Sequence, residues 1–380
     1  MRARRAAALL LTLLLLGGCR SGSEINQLAF VMGIAVDGAD GPEDYRVTVQ
    51  AARPYLLMSS GGADGGPDSA GDSYVNFSEV GRGIGLPLDA LARAMSRRLY
   101  TGHNQVLILG RAAAEQGIAP ILDHFIRVAD GRLTVSLFVA DRAAAVLEAE
   151  TELGHIPAAH LVGLLSARRG GADVRPATLM TFLSAMLSPT TAPTAPLVTL
   201  EGGRIALEGA AVFKGDRLVG TLDADQTRAL SLVTGAAQRD VVAVDIAGGS
   251  VTLDVSPIES RVRPVLENGA LSIEVTITGQ CIVADAGGVE GLLSPAPRRQ
   301  LAEAAEAQLL ALLAGTLAVS RELEADIFGF GEALYRRFPK ESAPLLEDWA
   351  TAYTELPVQF SAELEISSTG ALLEALVARP

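Results

Sequence analysis

The stretch that decides the fold reads Leu28-Ala-Phe-Val-Met-Gly-Ile-Ala-Val36, and Asp37-Gly38 follows it. An uncharged run that ends in an Asp-Gly pair predicts a buried strand closed by a turn. Residues 45–51 alternate apolar and polar side chains, which is typical of a partner strand. Helical and strand patterns then alternate up to Glu148, and this alternation indicates a mixed α/β region.

Further elements are predicted from the spacing of apolar residues. Residues 58–72, MSSGGADGGPDSAGD, hold too few apolar side chains to pack and are expected to form a disordered loop. Helices are predicted over residues 87–99, 119–128, 142–148, 177–186 and 225–233. Strands are predicted over residues 74–79, 106–109, 133–140, 241–246, 251–255, 260–265 and 271–283, with a hairpin over 203–222 that turns at Lys214-Gly215-Asp216.

The C-terminal third is dominated by a long helix predicted over residues 295–324, with Pro295 near its start. A second helical piece is expected over 326–337, with Asp326 as its N-cap. A third is expected over 344–353, and a final strand over 358–366. Cys281 lies in an alternating strand pattern, so we expect a buried thiol there and not a reactive one.

The N-terminal 18 residues have the composition of a secretory signal. Three arginines come first, then an uncharged core, then Leu16-Gly17-Gly18 directly before Cys19. This order resembles the lipobox of bacterial lipoproteins, in which the cysteine receives a diacylglycerol and becomes the new N-terminus after cleavage. The alternative is an ordinary signal peptide with a cysteine there by chance. A lipidated Cys19, with residues 19–27 as its tether, predicts attachment to a membrane face outside the cytoplasm.

Composition narrows the classes of partner. The formal net charge is −13 and falls to −16 when the three arginines of residues 1–18 are removed. An acidic chain of this kind argues against nucleic acid as a partner and against electrostatic adhesion to anionic lipid. The apolar stretch 307–320 is uncharged for fewer residues than the roughly 20 that a membrane span needs. The membrane is therefore expected to be reached through the lipid alone.

Catalytic, metal and cofactor sites are not predicted. The histidines His103, His124, His155 and His160 lack metal-binding spacing, and a single cysteine remains after lipidation. Residues 81–85, GRGIG, do not match a nucleotide loop, and no GxSxG motif is present. Glu322, Glu324 and Asp326 form an acidic cluster. We interpret it as a solvated helix end leading into a cap, the alternative being a carboxylate pair for acid–base catalysis.

Arg97, Arg98 and His103 are the candidate partner-contact residues. In one interpretation the arginines form ion pairs on a helix face and His103 packs at the entrance of a strand. In the other, all three shape an edge that faces a partner or ligand. The sequence leaves both open.

Four motifs in order then resemble one family. Cys19 is followed by residues 24–37, EINQLAFVMGIAVD; residues 96–110 read SRRLYTGHNQVLILG; residues 209–220 read GAAVFKGDRLVG; and residues 326–331 read DIFGFG, with Trp349 and a final strand after them. Together they resemble the Ger(x)C family, the lipoprotein C subunits of spore germinant receptors. Two features depart from the family pattern. The loop 58–72 is longer than usual, and Arg20 replaces the aromatic residue often found directly after the lipidated cysteine.

The resemblance implies a mixed α/β, α+β lipoprotein of three domains, each a mixed β-sheet with packed helices. We place the domains at residues 28–200, 201–267 and 268–380. It also implies no catalysis, and the residues themselves predict no cofactor and no metal. The expected partners are germinant receptor A and B subunits in the spore inner membrane, where the complex responds to small nutrients.

Two other classes remain as alternatives. A substrate-binding lipoprotein of an importer would need two similar lobes joined by hinge strands around a cleft. The sequence shows no such symmetry, and its aromatic fraction of 4% is low for a cleft in which aromatic side chains stack on a sugar or peptide. A lipidated hydrolase would need a nucleophile and a base, and the sequence offers no recognisable pair of this kind.

Overall fold

The structure is a computed structural model that describes residues 27–41, 43–53, 73–127, 131–151, 156–168, 170–247, 249–287, 289, 292 and 294–368. The predicted signal peptide, Cys19, most of the tether and the loop 58–72 lie outside these residues.

The first sheet has nine strands within the described ranges. The strands are β1 (Leu28–Gly38), β2 (Asp44–Ala52), β3 (Tyr74–Arg82), β4 (Arg98–Tyr100), β5 (Val106–Gly110), β6 (Ser136–Ala140), β7 (Thr194–Glu201), β8 (Arg204–Lys214) and β9 (Arg217–Leu222). Their order is β3-β2-β1-β5-β6-β7-β8-β9, with β4 paired to β1. The central β1, β5, β6 and β7 run parallel, and both flanks are antiparallel.

Helices cover both faces of this sheet. They are α1 (Gly85–Ala94), α2 (Arg111–Gln116), α3 (Ala119–Arg127), α4 (Ala143–Glu148), α5 (Pro157–Ala167) and α6 (Leu179–Met186). In β5, Leu107 and Leu109 enter the core beneath α1, α3 and α6, while Val106 and Ile108 enter the core beneath α4 and α5. The continuous apolar run of β5 follows from burial on both faces.

The second sheet has the order β10-β11-β12-β13. Its strands are β10 (Asp240–Ile246), β11 (Gly249–Glu267), β12 (Ala270–Asp285) and β13 (Val358–Ser368), and α7 (Ala224–Val233) precedes them. Between β12 and β13 lie α8 (Pro295–Glu322), α9 (Phe330–Arg337), α10 (Pro339–Leu346) and α11 (Trp349–Glu355). β12 pairs with β13 in parallel, as a crossover through helices requires.

The long helix α8 is apolar and long enough to cross a membrane by length and composition. Leu301, Ala305, Leu309, Leu313 and Leu317 instead join the core formed with the second sheet. This apolar face packs as the core helix of a folded domain does, which agrees with the sequence-based expectation for this stretch.

Several predicted elements differ from the structure in their bounds. α1 ends at Ala94 and not at residue 99, because Leu99 pairs with Ala29 in the sheet. The strands predicted over 251–255 and 260–265 form one strand, β11, with a register irregularity between Val255 and Ile258. The helices α2 and α5 were not predicted. Cys281 is confirmed as a buried strand residue, and burial, with Glu306 nearby, raises the pKa of its thiol to about 11.

The predicted mixed α/β, α+β class is confirmed, and the structure contains two mixed sheets with packed helices. The predicted boundaries at residues 200 and 267 each fall beside the turn of a hairpin, between β7 and β8 and between β11 and β12. Residues 201–267 therefore have no separate sheet within the described ranges. A polar turn in a hairpin and a linker between domains have similar composition, which explains the difference. The number of domains stays a prediction.

Candidate functional site

The segment from Ser96 to Gly110 crosses the end of the first sheet where β1 begins. Arg98, Leu99 and Tyr100 of β4 pair in parallel with the first three residues of β1. The N–H of Gln105 then donates to the carbonyl of Met32 at 3.0 Å. The segment is thus fixed beside the first strand that follows the predicted tether.

A tight 3-10 turn, Thr101–His103, follows β4 directly. The N–H of Asn104 donates to the carbonyl of Thr101 at 2.9 Å and closes this turn. A Cβ at Gly102 would lie 2.7 Å from the Tyr100 ring, so a side chain at this position would displace that ring. Glycine in the motif TGHN is therefore explained by close packing.

His103 belongs to an aromatic cluster with Phe30 and Tyr100. Its ring centroid lies 5.6 Å from that of Phe30 and 6.2 Å from that of Tyr100, and Phe30 and Tyr100 are 5.9 Å apart, edge to face. Such aromatic pairs contribute about 0.5–1.5 kcal/mol each beyond the area they bury. The predicted packing of His103 at a strand entrance matches this geometry, although its side chain stays exposed.

Arg97 and Arg98 are exposed and lie outside any helix, the first before β4 and the second within it. Neither forms an ion pair with a residue that the structure describes. The interpretation that they pair along a helix face therefore does not fit, because α1 has already ended. Contact of Arg97, Arg98 and His103 with a partner stays a prediction.

Asp37 has a role that sequence reasoning missed. Its two carboxylate oxygens accept hydrogen bonds from the N–H groups of Ala143, at 2.7 Å, and Ala144, at 2.9 Å. These N–H groups begin α4 and have no hydrogen-bond partner within the helix, so the carboxylate satisfies them. Its negative charge also lies at the positive end of the helix dipole, which is a stabilising position. A Cβ at Gly110 would lie 2.2 Å from the Asp37 Oδ1 atom, which explains the glycine that ends β5.

Asp326 is the second buried acceptor in the motifs. It is 2% exposed and accepts hydrogen bonds from the N–H groups of Gly329, Phe330 and Gly331 at 2.8, 3.1 and 2.8 Å. Burial raises the pKa of its carboxyl to about 6, against the lowering effect of these donors. It caps α9 as predicted, although Gly329, at φ 75°, occupies the N-cap position itself.

The same motif connects the two sheets. The carbonyl of Asp326 accepts from the N–H of Ala192, just before β7, at 2.9 Å. Lys214 of β8 pairs with Glu324 at 2.7 Å. The acidic cluster of residues 322–326 is therefore a structural junction. Asp326 is buried, whereas we predicted a solvated helix end for this cluster.

Among the described residues, no group of three or more His, Cys, Asp or Glu side chains is placed to hold a metal ion. His103, His124 and His160 belong to separate elements of the first sheet region, and His155 lies outside the described ranges. The geometry of the motifs is that of packing and capping.

The two halves of the chain match two families of spore germination proteins, and the chain belongs to the Ger(x)C family. A family described as "Spore germination protein N-terminal domain" matches residues 21–200. A second, described as "Spore germination B3/GerAC like, C-terminal", matches residues 208–370. The predicted family is confirmed.

Particular relatives match along most of the chain. YfkR of Bacillus subtilis (strain 168) is 27% identical over 97% of this chain and 97% of its own. Spore germination protein KC of the same organism is 24% identical over 96% and 95%. Spore germination protein B3, also of that organism, is 26% identical over 74% and 75%. The crystal structure of the GerBC protein matches with a TM-score of 0.56 and 18% identity, over 90% of this chain and 100% of its own, which shows a shared fold.

Proposed function

We propose that this protein is a non-enzymatic, lipid-anchored subunit of a germinant receptor, required for nutrient-triggered spore germination. It acts with A and B subunits at the extracytoplasmic face of the spore inner membrane. The observation that carries the proposal is the match of both halves of the chain to spore germination families. The relatives are named as germination proteins and not as enzymes.

The position of the candidate partner-contact residues supports assembly close to the membrane. Leu28 is the ninth residue after Cys19, and an extended chain spans at most about 3.6 Å per residue. The start of β1 would thus lie within about 32 Å of the anchored cysteine. Because β4 pairs with this start, Arg97, Arg98 and His103 lie at the end of the sheet nearest the tether.

The importer alternative is not favoured by the fold. A cleft protein of that class has two similar lobes, whereas here the first sheet has nine strands and the second has four in the described ranges. Helices cover both faces of the first sheet. The two parts are therefore not copies of one lobe.

Deletion of the gene in its spore-forming source tests the proposal. We expect normal sporulation and loss of nutrient-triggered germination, which the wild-type gene restores and a Cys19→Ala variant does not. The readout is the fall in optical density of purified spores after nutrient addition, with germination by a non-nutrient trigger as the control. Normal nutrient germination in a deletion strain without a paralogue would contradict the proposal.

A further inference from the structure

One face of the first sheet region exposes large apolar side chains. It is formed by α1, α3, residues 131–135 and α6, and we call it the apolar face. Its exposed side chains, at 63%, 49%, 43%, 58% and 78% exposure, are Leu86, Ile126, Leu133, Met180 and Leu187. On the opposite face of the sheet, every large apolar side chain of α4 and α5 is at least partly buried. Apolar exposure is thus concentrated on one side, as at a surface that meets an apolar partner.

The exposed side chains belong to one surface because their elements meet. Each of the four elements contributes one side chain to a common depression: Leu88, Phe125, Arg132 and Leu179. A Cβ at Gly85 would lie 3.7 Å from the His124 ring, which places the start of α1 against α3. The N–H of Met180 donates to the Leu133 carbonyl at 2.9 Å, so α6 begins against residues 131–135.

The charge of this face is opposite in sign to that of the chain. Residues 85–98, 119–135 and 179–187, which build the face and its border, contain five arginines and three aspartates, a net charge of +2 in a chain of net charge −13. Arg132 is exposed and forms no ion pair with a residue that the structure describes. An acidic protein is repelled by an anionic surface as a whole, so this local reversal favours one orientation on such a surface.

The predicted anchor allows this face to reach a membrane. β1, β5 and β6 run parallel, and Ser136, three residues after Leu133, lies level with Gly33 of β1. Five residues of β1 separate this level from Leu28, which is about 17 Å at about 3.3 Å per residue. The chain from Cys19 to Leu28 spans up to about 32 Å, so it is long enough for the anchor and the apolar face to lie on the same bilayer.

We propose that the apolar face lies on the surface of an anionic lipid bilayer, with Leu133 and Met180 at the boundary of the acyl chains and Arg132 among the headgroups. A bilayer surface offers apolar groups and negative charge together, which are the two properties that this face complements. The inference rests on the lipid anchor of the proposed function and adds an orientation to it. Contact of the same face with a protein partner is the competing outcome of the test.

A tryptophan on the apolar face reports its contact with lipid. The chain from Cys19 to Pro380 is coupled through the Cys19 thiol, which adds across the double bond of a maleimide lipid, while Cys281 is fully buried. The vesicles contain phosphatidylcholine and phosphatidylglycerol at about 2:1, with bromine on the acyl chains as quencher. Because the coupling supplies the anchor, the result does not depend on whether cells lipidate Cys19, which mass spectrometry tests separately.

Met180→Trp is compared with Val241→Trp, a matched control at a 54% exposed position of the second sheet. After subtraction of the emission of Trp349, we expect brominated lipid to lower the emission of Met180→Trp at least about twofold and to leave that of Val241→Trp unchanged. Adding Arg132→Glu should reduce the quenching of Met180→Trp by about half or more, because a positive charge at the headgroups becomes negative. Arg261→Glu, the same change at an exposed position of β11, should not.

Circular dichroism verifies that each variant is folded. Equal quenching of Met180→Trp and Val241→Trp, or equal effects of Arg132→Glu and Arg261→Glu, would overturn the proposal. Met180→Trp that stays open to aqueous iodide on the vesicles, and is shielded only when A and B subunits are added, would assign the face to a protein partner and also overturn it.

Discussion

At the scale of single residues, two aspartates hold together parts of the chain that are distant in sequence. Asp37 caps α4 from 106 residues away. The carboxylate of Asp326 accepts hydrogen bonds from three N–H groups of its own motif, and its carbonyl accepts one from Ala192. The sequence predicted Asp326 as a cap, because the residues it caps are local. For Asp37 the sequence predicted only a turn after the strand. A cap supplied by a residue of another element leaves no local sequence pattern.

Asp326 predicts a dependence of stability on pH. Because its pKa is raised to about 6 in the folded protein, from an ordinary value near 4, the folded state holds a proton that the unfolded state releases between these values. The contribution of Asp326 to the unfolding free energy is therefore present below about pH 4 and is lost as pH rises to about 6. A shift of about two units corresponds to roughly 3 kcal/mol.

Urea unfolding of wild type and Asp326→Asn at pH 4, 5, 6 and 7 measures this contribution. The difference in unfolding free energy between the two proteins should change by about 2–3 kcal/mol between pH 4 and pH 6, with the wild type losing stability, and stay constant above. Thr178→Ala, which alters an exposed helix cap and removes no titratable group, is the control and should show no such change. A constant difference between wild type and Asp326→Asn over the whole range would contradict the assigned burial of the charge.

At the scale of elements, most strands and helices followed from apolar spacing, and the exceptions have tertiary causes. Residues 87–99 keep helical spacing to the end, yet Leu99 leaves the helix because pairing with β1 satisfies its backbone. Pro257 interrupts the pattern of β11 without ending the strand, because the register irregularity absorbs it. The residue types alone marked Arg97, Arg98 and His103 as candidates. That their segment lies beside β1 could not be predicted, because it depends on how the strands pair in the sheet.

Charge reversal tests this segment as a partner surface. Arg97→Glu and Arg98→Glu should reduce co-purification with the A and B subunits about tenfold without lowering the unfolding temperature, because both side chains are exposed and without ion pairs in the described part of the chain. Arg142→Glu is the control, since Arg142 is exposed just after β6, which runs parallel to β1, and so lies at the opposite end of these strands from the start of β1. Wild-type recovery of the complex with both variants would remove the segment from the interface.

At the scale of the whole molecule, the junction around residues 324–331 joins the two sheets. A Cβ at Gly331 would lie 2.5 Å from the Thr190 Cβ and 2.7 Å from the Trp349 ring. The segment that precedes β7 and the helices α9 and α11 therefore meet at this glycine. The ion pair of Lys214 and Glu324 is about half exposed, and such pairs contribute about 1 kcal/mol or less. Packing at Gly331, and not the ion pair, is expected to set the stability of the junction.

Two substitutions separate these contributions. Gly331→Ala should lower the unfolding free energy by about 1–3 kcal/mol through overpacking, whereas Lys214→Ala should lower it by less than about 1 kcal/mol. Urea unfolding monitored by the fluorescence of Trp349 follows both. Equal effects of the two variants would show that the junction does not depend on close packing.

The proposed role depends most on the lipid at Cys19, which would hold this germination protein at a membrane. Mass spectrometry of the N-terminal peptide, isolated from the membrane fraction of spores, tests this most directly. We predict a mature chain that begins at Cys19 and carries a diacylglycerol on its thiol, with residues 1–18 removed. An unmodified Cys19, or a chain that retains residues 1–18 and is released in soluble form, would contradict the account.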